Sequence, residues 1–380
     1  MHDSANRRHY IDWIRVLAFM LLIIFHSSMP FVPYGWEVKN GDTSQALLNV
    51  IWWFHQWRLP LLFFISGVGI YFSLQRRSIW RFLWERVNRL LIPLLFAMFF
   101  IIPAQVWVEY TQKGRIHESY PDFYPTVWKL VPYPDGTLTW SHMWFVVYLF
   151  VFILLLSPLF ALFKIKYLAT VKEKLATLLS HPVGLVLLVI PLVMIYNALF
   201  LAWPEQGSLL DDWFVFIFSI TLLLYGYFLG GAADFWDNCE KYRRSFLAAA
   251  VLAVVLLYTF FWWPIQIPKQ AGQPFSAYMV LNCLEIWMVI LSICGYAKKF
   301  LNFSSPALTY LNKAVYPFYI IHQTLIVVIG YWIVKLDLPI FPKWILLTVL
   351  SAAAIFSTYH FIIKRTRLTK YLFGVKGVTS

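Results

Sequence analysis

Residues 11–31 read IDWIRVLAFMLLIIFHSSMPF, an apolar run that contains three ionisable side chains. A helix needs roughly 20 apolar residues to cross a hydrocarbon layer about 30 Å thick, and this run is long enough. Asp12 and Arg15 lie inside it and no small-x-small cleavage site follows, so we expect a retained helix rather than a signal peptide. Ionisable groups within a membrane span usually face the bundle interior or a wet cavity. The run therefore predicts a membrane helix with one functional face.

The rest of the chain repeats this pattern. Of 380 residues, 61% are hydrophobic and only 13% are charged, and the apolar runs are continuous, which favours helices over a β-barrel. The predicted spans are 11–31, 47–74, 88–108, 143–163, 183–202, 213–233, 245–263, 277–297, 314–334 and 343–363. We predict an all-α integral membrane protein, a polytopic bundle of about ten transmembrane helices. A single domain would cover residues 1–380, with a short basic tail from about 364.

Basic residues set the expected orientation. Most of the 31 Lys and Arg residues fall in loops that share one side with the N-terminus, so the positive-inside rule predicts that both termini are cytoplasmic. The net charge of +13 is explained by this asymmetry, so we expect membrane lipids and no nucleic acid as partners. The three cysteines have no CxxC spacing and predict neither a disulfide framework nor a metal site.

The ionisable residues of the first span form a stripe. At about 100° per residue, Asp12, Arg15 and His26 lie within roughly 60° of one another on one helix face. A histidine here can act as a general base, because its ordinary pKa lies near 6.5. The alternative is a structural histidine bonded to a neighbouring helix. Asp12 and Arg15, one turn apart, are expected to pair, so that neither charge is buried alone.

Further polar residues extend the candidate site. Arg86 and Arg89 form an Arg-x-x-Arg that suits phosphate groups, although orientation and lipid-headgroup contact explain such pairs as well. The remaining candidates for substrate binding are polar or aromatic residues at or inside spans, each of which could also be a satisfied structural group. They are Arg58, His142, Trp144, Glu285 and His322. Aromatic residues between 109 and 142 fit either a sugar platform or an interfacial belt.

Several segments resemble membrane-bound acyltransferase family 3. They are RHYIDWIRVLA at 8–18 with Phe25-His26, FFISG at 63–67, RVNRLLIP at 86–93, SHMWF at 141–145 and YPFYIIH at 316–322. Within the family, the loop Gly35–Lys39 and the tail Leu372–Gly374 resemble members linked to succinylating periplasmic glucans. Many relatives carry a fused extracellular hydrolase-type domain, whereas this sequence ends about 17 residues after its last predicted span, so we expect transfer to the acceptor to occur in the membrane unit itself or in a partner.

The resemblance implies an O-acyltransferase of the bacterial plasma (inner) membrane. It would move an acetyl or succinyl group from acyl-CoA to a hydroxyl of a cell-surface or periplasmic glycan. No cofactor would be tightly bound, because acyl-CoA is a co-substrate, and other proteins of periplasmic glucan synthesis would be partners. In family terms His26 would be the catalytic base, Arg15 an essential charged partner, and Arg86 with Arg89 the contacts of the CoA phosphates.

A secondary transporter of a sugar, lipid-linked intermediate or organic anion is the alternative, since it would use the same buried charges as a binding and proton path. The sequence shows no paired halves and no matching broken helices, which a transporter would be expected to have. A purely structural scaffold gives no reason to place Asp12, Arg15 and His26 on one helix face.

Overall fold

A computed structural model describes residues 8–203, 207–263 and 265–375. These residues are mostly helical, and their only β-type pairings are two isolated bridges, Pro132 with Leu138 and Trp262 with Ile265. The all-α prediction is therefore confirmed. Residues 1–7 and 376–380, which carry the termini predicted to be cytoplasmic, lie outside the described residues.

In the described parts of the chain, nine helices are long and apolar enough to cross a membrane, and a bent pair supplies a tenth if it counts as one span. The nine are α1 (His9–Phe31), α2 (Gln45–Gln75), α3 (Ile79–Gln112), α4 (Ser141–Leu162), α6 (Pro182–Leu199), α9 (Arg243–Phe260), α10 (Gln273–Phe300), α11 (Pro306–Ile333) and α12 (Ile340–Ile363). The others with labels are α5 (Lys166–Ser180), the bent pair α7 (Trp213–Leu229) and α8 (Ala233–Lys241), and α13 (Arg367–Leu372), while a short unlabelled helix, Tyr120–Phe123, continues into the 3₁₀ helix Tyr124–Lys129 between α3 and α4. The prediction of about ten spans in a multi-pass membrane protein is confirmed.

The sixth predicted span, 213–233, differs from the structure at its end. Helix α7 stops at Leu229, and the chain turns by 103° before α8 begins. Gly230 and Gly231 occupy the turn, and a Cβ at Gly231 would lie 2.2 Å from the ring of Tyr71. The bend therefore depends on residues without side chains, and hydropathy alone does not reveal it.

Helix α3 is longer than the predicted span 88–108 and contains two π-helical segments, Val87–Leu91 and Ala97–Ile101. Each lies just before a proline, Pro93 or Pro103, which has no N–H for the carbonyl four residues earlier. The carbonyl that Pro103 leaves without its helical donor is that of Phe99. It accepts a hydrogen bond from the Tyr124 hydroxyl at 3.2 Å.

Contacts divide the chain into two compact units. The first contains Met1–Ala18, Trp52–Leu83 and Val151–Leu308, and the second contains Phe19–Ile51, Trp84–Phe150 and Thr309–Ser380. The prediction of one acyltransferase domain over residues 1–380 stays a prediction.

In the first unit, α2 and α7 touch through glycines. A Cβ at Gly67 would lie 1.9 Å from the carbonyl oxygen of Leu223, and a Cβ at Gly226 would lie 1.9 Å from that of Phe64. Small residues permit such backbone contact between membrane helices. The FFISG segment at 63–67 is thus explained by packing.

In the second unit, the loop between α1 and α2 is built into the helices. Val38 forms a buried core with Val108 of α3 and Val327 of α11. Lys343 of α12 is buried and donates to the Asn40 side chain at 2.9 Å. These contacts fix the loop beside the site described next.

Candidate active site

The predicted pair on α1 is present. The Arg15 guanidinium lies 3.1 Å from an Asp12 carboxylate oxygen, one helical turn away, and the Asp12 side chain keeps only 14% of its exposure. An opposite charge compensates a carboxylate that has lost most of its water. Both residues belong to the first unit, whereas His26, further along α1, belongs to the second.

Three histidines from three helices meet in the second unit. The ring centroid of His322 on α11 lies 5.0 Å from that of His26 on α1 and 5.2 Å from that of His142 at the start of α4. His322 and His142 are buried, whereas His26 is half-buried. Of these three predicted site residues, His26 therefore has the greatest access for a substrate.

His142 is held by hydrogen bonds on both ring nitrogens. Its Nε2 lies 3.0 Å from the Ile320 carbonyl oxygen, and its Nδ1 lies 3.5 Å from the Gln105 amide nitrogen. The hydrogen bonds assign the Nε2–H tautomer, which donates to Ile320 and accepts from Gln105. Tyr319 also donates its hydroxyl to the His142 carbonyl at 2.5 Å. His142 thus joins α4, α3 and α11, and both nitrogens of its ring are used in hydrogen bonds between these helices.

His322 has its orientation fixed in a different way. Its Nδ1 lies 2.6 Å from the Tyr319 carbonyl, which can only accept, so Nδ1 carries the proton and Nε2 has the lone pair. The His322 ring also stacks on Tyr319 at 5.6 Å with an interplanar angle of 26°. Phe19 and Phe145 contact the other edges of Tyr319, at 5.4 and 6.1 Å. The aromatic packing thereby sets the position of the ring next to His26.

The arginine pair lies on α3 in the second unit. Both Arg86 and Arg89 are half-buried, and Arg89 belongs to the first π-helical segment of α3. Asn88, between them, is buried and accepts a hydrogen bond from the Tyr371 hydroxyl of α13 at 3.0 Å. The tail of the chain therefore contacts the helix segment that carries both arginines.

Gly374 explains why the tail fits here. Its φ of +62° lies in the left-handed region, and a Cβ would come within 2.7 Å of the Tyr316 ring and 3.0 Å of the Arg89 carbonyl oxygen. Only glycine meets both demands without strain. The Phe373 ring also packs edge-on against Phe96 of α3, 5.3 Å away.

The other predicted substrate residues are placed separately. Trp144 is half-buried on α4, with its ring 5.3 Å from that of Tyr148. Arg58 and Glu285 are buried in the first unit, outside the histidine cluster's unit. Glu285 accepts a hydrogen bond from the Trp53 indole at 2.8 Å. This bond joins α10 to α2 and fits the structural alternative for Glu285.

The aromatic segment between α3 and α4 is partly packed. Tyr110 is buried and donates its hydroxyl to the carbonyls of Pro134 and Gly136, at 2.7 and 2.9 Å. Trp128 is 57% exposed although its ring stacks on Phe99. A sugar platform here would have to use the exposed rings.

Sequence reasoning missed several polar residues near the histidines. Gln105 binds His142, and Glu37 accepts a hydrogen bond from Gln323, the residue after His322, at 2.7 Å. Burial, together with the nearby Glu109 carboxylate, raises the pKa of Glu37 to about 7. A glutamine inside an apolar span was a readable signal for Gln105. Glu37 belongs to the Gly35–Lys39 loop that carries part of the family resemblance, but a glutamate in a loop gave no signal of its own for burial beside the histidines.

No group of three or more His, Cys, Asp or Glu side chains in the described residues could hold a metal ion.

Comparison with the sequences of known proteins assigns the chain to a family. A sequence model described as an acyltransferase domain matches residues 8–360. The chain belongs to this acyltransferase family. The match includes every predicted site residue from Asp12 to His322, whereas α13 and Gly374 follow the matched residues.

Named relatives of this acyltransferase are similar over nearly their whole length. Glucans biosynthesis protein C of Escherichia coli strain K12 is 26% identical over 389 residues, which cover 98% of this chain and 96% of the relative. The protein of the same name from Escherichia coli O81 (strain ED1a) is 27% identical over 399 residues, with the same coverage. No significant match to a solved structure was found.

Proposed function

We propose that this acyltransferase moves an acetyl or succinyl group from acyl-CoA to a hydroxyl of a periplasmic glucan, at the bacterial inner membrane. The names of the full-length relatives support the choice of acceptor. The observation that carries the proposal is the placement of two chemically different sites on one helix.

The two sites lie at different positions along α3. Arg89 lies in its first π-helical segment, and Gln105, which binds His142 of the histidine cluster, lies about 24 Å further along at 1.5 Å per residue. Guanidinium groups one turn apart suit the phosphates of CoA, since each can donate two hydrogen bonds to one anion. The pantetheine arm of acyl-CoA separates its phosphates from its thioester by a comparable length when extended. One donor molecule can therefore contact Arg86 and Arg89 while its thioester reaches His26.

The reaction needs one proton acceptor at the thioester. His26 removes the proton from the acceptor hydroxyl as its oxygen attacks the thioester carbonyl and forms the new C–O bond. The C–S bond then breaks, and protonated His26 returns the proton to the departing CoA thiolate. His322 acts as a positioning residue for the His26 ring, because its own orientation is fixed through Nδ1 and Tyr319.

Release of free CoA by the purified protein in liposomes tests this function. Wild type is expected to consume acetyl-CoA or succinyl-CoA when a glucan is present. His26→Ala is expected to lose about 10²- to 10⁴-fold in rate, the usual contribution of a general base. Arg89→Ala is expected to raise the KM for the donor by roughly tenfold or more, since a hydrogen bond to a charged group contributes about 1.5–3 kcal/mol.

Trp80→Ala is the matched control, because this side chain is 78% exposed at the start of α3. It is expected to leave the rate unchanged. If neither donor is consumed with any acceptor while the liposomes take up a labelled solute, the enzyme proposal is wrong and the transporter replaces it.

A further inference from the structure

The loop between α1 and α2 lies beside the histidine cluster and has no part in the mechanism above. The Trp36 ring centroid is 6.3 Å from that of His26, with an interplanar angle of 31°. Glu37 binds Gln323, which follows His322 in the chain. We propose that Trp36 and Glu37 form the acceptor subsite, where Trp36 packs on one neutral sugar ring and Glu37 accepts hydrogen bonds from its hydroxyls. This inference rests on the proposed function and names the acceptor's binding residues.

Trp36 is anchored where a sugar ring would need it. It is half-buried and packs against the core formed by Val38, Val108 and Val327. This packing fixes an aromatic side chain next to the proposed base. An aromatic face attracts the C–H face of a pyranose through dispersion and burial of apolar surface. A ring held there places its hydroxyls close to His26.

Glu37 has one carboxylate oxygen available for a ligand. Its Oε1 accepts from the Gln323 amide at 2.7 Å, whereas its Oε2 is buried and accepts no hydrogen bond from any described residue. A buried acceptor without a donor is unfavourable. A sugar hydroxyl supplies such a donor, and the Trp36 ring next to it in the sequence supplies the apolar contact.

The loop is rigid enough to form a site before the acceptor arrives. The Lys39 ammonium donates to the carbonyls of Met29 and Tyr34, at 3.1 and 2.9 Å, and also to that of Val32. The Gln112 side chain accepts from the Lys39 N–H at 3.1 Å and donates to its carbonyl at 2.7 Å. Preorganisation of this kind reduces the entropy that binding must overcome.

The charges around Glu37 favour a neutral sugar over an anionic one. Glu109 of α3 lies close enough to raise the pKa of Glu37, and Lys113 opposes this effect. Lys113 is itself paired with Glu109 at 2.5 Å, and the Tyr133 hydroxyl donates to the same carboxylate at 2.9 Å. The positive charge nearby is therefore already engaged, and a phosphate or sulfate on the acceptor would meet two carboxylates.

The test measures the KM for a neutral glucose oligosaccharide and for its sulfated analogue through CoA release in liposomes. Trp36→Ala is expected to raise the acceptor KM tenfold or more, whereas Trp36→Phe keeps most of the affinity. Glu37→Gln is expected to raise the KM for the neutral oligosaccharide severalfold. It is also expected to reduce the difference in KM between the neutral oligosaccharide and its sulfated analogue. The donor KM is expected to stay near the wild-type value in all three variants.

Two matched controls locate the site. Glu118→Gln changes an exposed glutamate between α3 and α4 and is expected to have no effect. Trp128→Ala removes the exposed aromatic ring that would serve a sugar platform in that segment. If Trp128→Ala raises the acceptor KM and Trp36→Ala does not, the inference is overturned, although the acyltransferase stands. If wild type consumes no donor at all, the proposed function has failed first.

Discussion

Replacement of Tyr371 by phenylalanine tests whether the C-terminal tail positions the arginine pair. The substitution removes only the hydroxyl that donates to Asn88 at 3.0 Å and keeps the ring. A hydrogen bond of this kind contributes about 0.5–1.5 kcal/mol. If the whole free energy of this hydrogen bond is lost from donor binding, the KM for acyl-CoA rises about twofold to twelvefold. CoA release at varied donor concentration measures this change, with kcat and the acceptor KM expected to stay near wild type.

A double-mutant cycle identifies the route of the effect. If Tyr371 acts through Arg89, Tyr371→Phe adds little in an Arg89→Ala background, because the contact that it supports is already gone. Tyr167→Phe, at a side chain that is 76% exposed, serves as the control. Full additivity of the two effects, or a change in the acceptor KM alone, would refute the positioning role.

Three further predictions concern other parts of the chain. His26→Gln is expected to keep the fold, shown by an unchanged Tm, while kcat falls about 10²-fold or more; retention of kcat would exclude His26 as the base. Because the pKa of Glu37 is raised to about 7, its carboxylate becomes protonated as the pH falls through that value, so the acceptor KM is expected to rise below pH 7. Glu37→Gln should remove this dependence of the acceptor KM on pH. If the variant keeps the pH dependence of wild type, a group other than Glu37 causes it. Gly67→Ala, whose Cβ would lie 1.9 Å from the Leu223 carbonyl, is expected to destabilise the protein by about 3 kcal/mol in denaturation assays in detergent. Gly69→Ala, with nothing within 4 Å of its Cβ, should be neutral, and equal effects of the two alanines would contradict the packing argument.

The sequence predicts the helices well because the signal for each span lies in the span's own residues. A run of apolar residues must be helical in lipid, so the spans and their number follow from composition. The Asp12–Arg15 pair is equally local, since residues three positions apart face each other on a helix. The end of α7 cannot be predicted in this way, because the bend at Gly230 and Gly231 depends on a tertiary contact with the Tyr71 ring.

The histidine cluster could be predicted only in part. His26, His142 and His322 each stand out as polar residues at or inside spans, but nothing local tells which of them meet. Their positions are set by tertiary contacts, such as the hydrogen bond from His142 to Ile320. The role of Glu37 could not be predicted either, because a glutamate in a loop is ordinarily solvated and only the fold buries its carboxylate.

The continuity of α3 has a consequence for the choice of donor. Because one helix carries Arg89 and Gln105, the spacing between the proposed phosphate contacts and the histidines is fixed by the covalent backbone, not by a mobile hinge. Each residue inserted between Pro93 and Pro103 would lengthen this spacing by about 1.5 Å and turn the two ends relative to each other by about 100°. An acyl phosphate, whose carbonyl adjoins its phosphate, would be too short to reach both proposed sites. Under the proposed function, helix α3 would select donors by length before any contact with the acyl group is made.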